Sequence, residues 1–170
     1  MMPTSMPRRP YVTTRTHEVF AIAHDLAEHL GHDDVTPVHI ALGLLREGRS
    51  IAAAILHGRG VPLDVVEREL EAHLPPPGAP RVPPRERSWT PSDEHLLEQA
   101  TVEARELGTE FFGCEHVMLA LLRDATSAPA QVLAHHGVRF DDARTEILRI
   151  YNTRPTVGPQ SFHRRPSNER

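Results

Sequence analysis

A chain that matches itself at a fixed offset is confined to folds built from a repeated unit. Here residues 13–74 align without a gap on residues 90–151, an offset of 77. Seventeen of the 62 aligned positions are identical, where unrelated sequences of ordinary composition would share roughly four. The identities include Thr13/Thr90, Ala23/Ala100, Ala27/Ala104, Gly31/Gly108, His39/His116, Leu44/Leu121, Leu45/Leu122, Gly60/Gly137 and Val61/Val138. The chain is an internal duplication, and whatever one copy folds into the other must fold into as well.

Each copy reads as four helices. Thr13 and Thr90 are suitable N-caps for a first helix, and Pro91 suits the first helical position. Val19, Ala23, Leu26, Ala27 and Leu30 recur at helical spacing, as do Leu96, Ala100, Ala104 and Leu107. Gly31 and Gly108 follow where a left-handed residue stops a helix. A second helix, near 36–47 and 113–124, is apolar almost all round (HIALGLL and HVMLALL), so it is expected at the centre of the core. Ser50 and Ser127 cap a short third helix that ends at Gly60 and Gly137. Pro62 opens a fourth that reaches about Leu74, with its counterpart ending near Tyr151. The expected fold is all-α, a tandem duplication of a four-helix repeat. Its repeats occupy 12–74 and 89–151, joined by a Pro-rich linker at 75–88, and the two form one compact domain. Residues 1–11 and the basic stretch 152–170 are assigned to disordered tails from their Pro, Arg and Ser content.

Composition narrows the function classes. Aromatic residues make up 5% of the chain, so Leu, Val, Ile and Ala must build the core. No apolar run approaches the roughly 20 residues that span a bilayer, and the first residues lack the apolar stretch of a secretory signal. One cysteine, Cys114, leaves no disulfide framework. A cytoplasmic location is therefore expected. The copies carry net charges of −5 and −6 and the remainder +7, which argues against nucleic-acid binding by the folded part. All 19 basic residues are arginine. A GC-rich genome or avoidance of lysine-directed tagging would each produce that.

The residues offer little chemistry of their own. The twelve histidines contain no H-E-x-x-H or Cys/His cluster, although His24, His29 and His32 are placed on the first helix at spacings of five and three. No metal or other cofactor is expected. Cys114 and His116 share one helix start with no third group to orient them, so no catalytic residue is assigned. No G-x-x-x-x-G-K-[ST] occurs, which leaves no loop to cradle phosphates and no ATPase activity.

The motifs resemble the Clp N-terminal (Clp repeat) family of ClpA- and ClpC-type ATPases. The family's outline is F-T-x-x-A, L-A-x-x-E-A-x-x-L-G-H, I-G-T-E-H-L-L-L-G-L-L-R-E and V-L-x-x-L-G-V-D. This chain has V-T-T-R-T at 12–16, A-I-A-H-D-L-A-E-H-L-G-H at 21–32, V-T-P-V-H-I-A-L-G-L-L-R-E at 35–47 and I-L-H-G-R-G-V-P-L-D at 55–64. Its second copy has W-T-P-S-D at 89–93, F-G-C-E-H-V-M-L-A-L-L-R-D at 112–124 and V-L-A-H-H-G-V-R-F-D at 132–141. The resemblance implies a non-enzymatic protein-binding module of the Clp protease system. Such a module serves as adaptor, regulator or competitor, with a Clp ATPase, a Clp peptidase, or adaptor and substrate proteins as partners and neither nucleic acid nor membrane among them. The alternative is a protein that sequesters a small molecule or cyclic peptide directed at Clp N-domains.

The resemblance also assigns residues. His39 and His116 are structural, each ring bonded to nearby backbone. In ClpC-type relatives the Glu of G-T-E-H resembles a guanidinium clamp for phosphorylated arginine. The second copy keeps it as Glu115, beside Cys114 where the family has Thr. Thr13, Thr90 and Trp89, the last in the family's aromatic position before T-P, complete the candidate binding residues. The first copy has Pro37 and Val38 at the motif's Thr and Glu, so its clamp is lost. Glu115 is equally explained as an acid favoured at a helix N-terminus.

Overall fold

The computed structural model describes residues 11–79 and 91–153. Its elements run β1 (Tyr11–Val12), α1 (Thr14–His29), α2 (Pro37–Glu47), α3 (Ile51–Gly58) and α4 (Leu63–Glu71), then α5 (Pro91–Glu106), β2 (Phe111–Phe112), α6 (Cys114–Arg123), α7 (Ala128–His135) and α8 (Phe140–Thr153). The fold is an all-α double repeat. Thr13 caps α1 by accepting the Thr16 amide, and Ser50 and Ser127 cap α3 and α7 in the same way. Gly31, Gly60, Gly108 and Gly137 all have φ between 68° and 80°. Each sits in a Schellman stop, where the next amide reaches back five residues (Val138 N–H to the Leu133 carbonyl, 2.9 Å).

The two all-apolar helices lie where their lack of a polar face requires. Helix α2 touches elements of both copies, and α6 does the same from the other side. Leu42, Leu119, Val117 and Met118 are fully buried, and one continuous core runs through both repeats. Gly43 permits the close crossing of α1 and α2: a Cβ there would lie 2.4 Å from the Val19 carbonyl oxygen. Copy two carries Ala120 at the equivalent position.

Three boundaries depart from the sequence reading. Tyr11, assigned to the tail, pairs with Phe111 in a parallel two-residue bridge, and Val12 pairs with Phe112. Two-residue strands are too short to show an alternating pattern. Helix α4 stops at Glu71, short of Leu74, while α8 runs on to Thr153. The chain after α4 does not leave the domain at once. The Gly78 amide donates to the Leu30 carbonyl at 2.8 Å, and Gly31, lacking a side chain, lets that backbone approach.

Candidate functional site

Three helix N-termini meet at the junction of the copies. Thr13 begins α1, Ser50 begins α3, and Cys114 and Glu115 open α6 from the other repeat. A cleft of about 440 Å³ lies among them. Thr13, Thr14 and Arg15 form one wall, Arg49, Ser50 and Ile51 a second, and Cys114 and Glu115 the third. Helix N-termini carry partial positive charge and free N–H donors, so their convergence favours an anion, and Arg15 and Arg49 add full charges.

The charges are held by a buried acid. The Glu47 side chain is 1% exposed and accepts from Arg15 Nη1 at 2.9 Å and from the Arg49 amide at 3.1 Å. Burial pushes its carboxyl up, but the hydrogen bonds from Arg15, Arg49 and Ser50 and the charge of Arg15 outweigh that, so it sits below the ordinary glutamate value. Thr16, fully buried, stands where the family motif has Ala, and its Oγ1 lies 3.7 Å from Cys114 Sγ. Thr13 Oγ1 is 2.9 Å from Thr16 Oγ1. The hydroxyl that the motif carries on the α6 side is thus carried here by α1. Burial pushes the Cys114 thiol up to about 11, against the hydrogen bond from Thr16. A thiol so protonated is a packing group, not a nucleophile.

Glu115 is 5% exposed and lines the cleft. Its Oε1 accepts from the Tyr151 hydroxyl at 2.7 Å. His116 lies beside it, fully buried, with Nδ1 accepting from the Gly113 amide at 2.9 Å. The proton therefore sits on Nε2, which faces Thr109 Oγ1 at 3.3 Å and Tyr151 Oη at 3.4 Å. His39 repeats this arrangement: Nδ1 accepts from the Thr36 amide at 3.0 Å, and Nε2 meets His32 Nδ1 at 2.8 Å. Each ring accepts from the N-cap amide of its own helix, that of Thr36 in one copy and of Gly113, which has no side chain to cap with, in the other. Burial, with the His32 and His24 charges adding to it, lowers His39 to about 4. Burial also lowers His116 against the pull of Glu115.

An equivalent cleft of about 410 Å³, lined mostly by the second copy, lies at the start of α2 and has different chemistry. Pro37 takes the place of Cys114, Pro91 of Thr14 and Asp124 of Glu47, and Leu96, Ala120 and Leu121 also line it. Val38, the counterpart of Glu115, is 7% exposed and belongs to the core.

Of the residues singled out from sequence, Thr13, Cys114 and Glu115 share one cleft, while His39 and His116 lie buried at their helix starts. Trp89 and Thr90 fall outside the described residues. Sequence reading missed Arg15, Arg49, Thr16, Gly113 and Tyr151. Thr16 carried a signal, since it departs from the motif together with Cys114; Tyr151 carried none. His32, grouped with the first helix, lies beyond its end. Among the described residues no group of three or more His, Cys, Asp or Glu is placed to hold a metal ion, and no helix is long and apolar enough to cross a membrane.

Fold and cleft define a doubled four-helix repeat with a polar inter-repeat site at the start of α6. The chain belongs to the Clp repeat (R) N-terminal domain family, which matches it over residues 11–133 and 88–169. It is 34% identical over 138 residues to the chaperone protein ClpB of Oceanobacillus iheyensis, covering 81% of this chain and 17% of that one. It is 33% identical over 144 residues to the negative regulator of genetic competence ClpC/MecB of Bacillus subtilis, covering 85% and 17%. Among solved structures, the Hsp104 N-terminal domain of Candida albicans superposes with a TM-score of 0.65 at 16% identity, covering 85% of this chain and 93% of that one. The chain thus spans about a sixth of the length of these full-length relatives.

Proposed function

We propose that this chain is a non-enzymatic protein-binding module of the Clp protease system, an adaptor, regulator or competitor for partners that Clp ATPases recognise. It acts in the cytoplasm and holds one phosphoarginine-bearing segment per chain in the cleft at Glu115. The observation that carries the reading is the meeting of opposite chemistries in one cleft: Glu115 lines it together with two arginines and three helix N-termini. A guanidinium pairs with a carboxylate through parallel N–H···O bonds, and the phosphoryl group attached to it needs cations and backbone donors within a few ångströms. A plain arginine would satisfy only the first, and a phosphoserine only the second. Family membership and the ClpC-type relative support the Clp setting.

Isothermal calorimetry with a phosphoarginine peptide tests the reading. One site per chain is expected, with Glu115→Gln weakening it by about 1.5–3 kcal/mol, the usual worth of a hydrogen bond to a charged group. Two equal sites, or binding indifferent to Glu115, would overturn it. A pull-down from native cytosol tests the partner: recovery of a Clp ATPase or peptidase is expected, and tight capture of a small molecule instead would favour a sequestering protein.

A further inference from the structure

Glu115 does not hold its position by itself. Its carboxylate is turned back over the start of its own helix, where Oε2 would lie 2.6 Å from a Cβ on Gly113. Gly113 has φ −116°, ordinary extended backbone that any residue adopts, so its lack of a side chain serves space and not torsion. The other oxygen, Oε1, is tied to Tyr151, which reaches it from α8 at 2.7 Å. The Tyr151 oxygen in turn faces His116 Nε2 at 3.4 Å, and this fixes the direction in which the hydroxyl donates.

The duplication supplies an internal control. At the offset of 77, Gly113 corresponds to Thr36, Glu115 to Val38 and Tyr151 to Leu74. The copy that lacks the acid also lacks the space for its carboxylate and the hydroxyl that holds it. The histidine cap, by contrast, is present in both copies, so the helix start itself does not require the three.

We propose that Gly113 and Tyr151 are positioning residues for Glu115, and that the three act as one unit to present a fixed carboxylate to a guanidinium entering the cleft. The inference rests on Glu115 being the ligand's partner, and its test separates the two. With the phosphoarginine peptide as probe, Tyr151→Phe and Gly113→Ala each bind roughly tenfold more weakly, as suits the loss of one hydrogen bond or of the aligned geometry. Both keep the parent's helical circular dichroism. Tyr151→Phe added to Glu115→Gln costs no further affinity, because the hydroxyl then has no carboxylate to aim. The chain has two tyrosines, so Cζ-labelled tyrosine gives two carbon resonances. The Tyr151 signal moves when peptide binds and is already displaced in Glu115→Gln before it is added. If Glu115→Gln weakens binding while Tyr151→Phe and Gly113→Ala match the parent, the positioning role falls and the clamp stands. Additive losses in the double variant also overturn it, since Tyr151 would then act through the fold alone. If Glu115→Gln itself binds like the parent, the reading of the cleft falls with it.

Discussion

The ring nitrogens of His39 and His116 show how a residue's surroundings set its chemistry. Both rings give up a proton-binding site to a backbone amide and lie in the core, so both stay neutral at pH 7. In the unfolded chain a histidine titrates near 6.5. Between there and about 4, where His39 titrates in the folded state, the unfolded chain binds the extra proton and the folded one refuses it. Stability contributed by the neutral ring is therefore complete above the unfolded value and falls as pH drops through this window, by at most about 1.4 kcal/mol per pH unit for one group. His39→Gln keeps an acceptor without the proton equilibrium. Its deficit against the parent in urea midpoint should be largest at pH 7 and shrink toward pH 4.5; a constant difference would contradict the assignment. Cys114 provides a second check at this scale. With its thiol pushed up to about 11 and 3% exposed, it should resist iodoacetamide at pH 7.5 in the folded protein and react freely in urea.

Among the elements, α2 and α6 carry the structure. Leu44 is 2% exposed and Leu121 3%, so cutting either to Ala should cost about 2–5 kcal/mol by denaturant titration. An unchanged midpoint for Leu44→Ala would mean that the helix faces another way. Gly43→Ala places a methyl group against the Val19 carbonyl, which is backbone and cannot swing aside. It should cost about 1–3 kcal/mol, the range for overpacking, although alanine is the better helix former. The equivalence of the clefts makes a further expectation: Val38→Glu alone should not create a second peptide site. Thr36 crowds the space, Leu74 offers no hydroxyl, and the new carboxylate would be buried without a partner, so a lowered melting temperature and an unchanged stoichiometry of one are expected.

For the whole molecule, the seam between the copies decides whether there are two folding units or one. Helices α2 and α6 pack on each other and on helices of the opposite copy, so the buried core is shared between the repeats. The rim adds cross-links: His24 Nε2 to Asp93 Oδ2 at 2.9 Å, His136 Nε2 to Glu69 Oε2 at 2.9 Å, and Arg59 Nη1 to the Gly137 carbonyl at 3.1 Å. A single calorimetric transition is expected, and residues 1–79 alone should lack cooperative unfolding. Two resolved transitions would show the repeats to be independent.

The sequence by itself determined the duplication, the eight helices, the Thr13, Ser50 and Ser127 caps, the glycine stops and the family. All of these are encoded locally, in the period of apolar residues and in the few residue types that begin or end a helix. It also located Glu115, because a motif places that acid two residues into a helix whatever lies around it. Only the tertiary structure decided what surrounds Glu115. Arg15 and Arg49 lie on the far repeat and on a loop, and Tyr151 comes from a helix 36 residues further along. No spacing rule links such positions, because their proximity is set by how the helices cross. The same is true of the β1–β2 bridge, where two backbone segments about 100 residues apart pair only because packed helices bring them side by side.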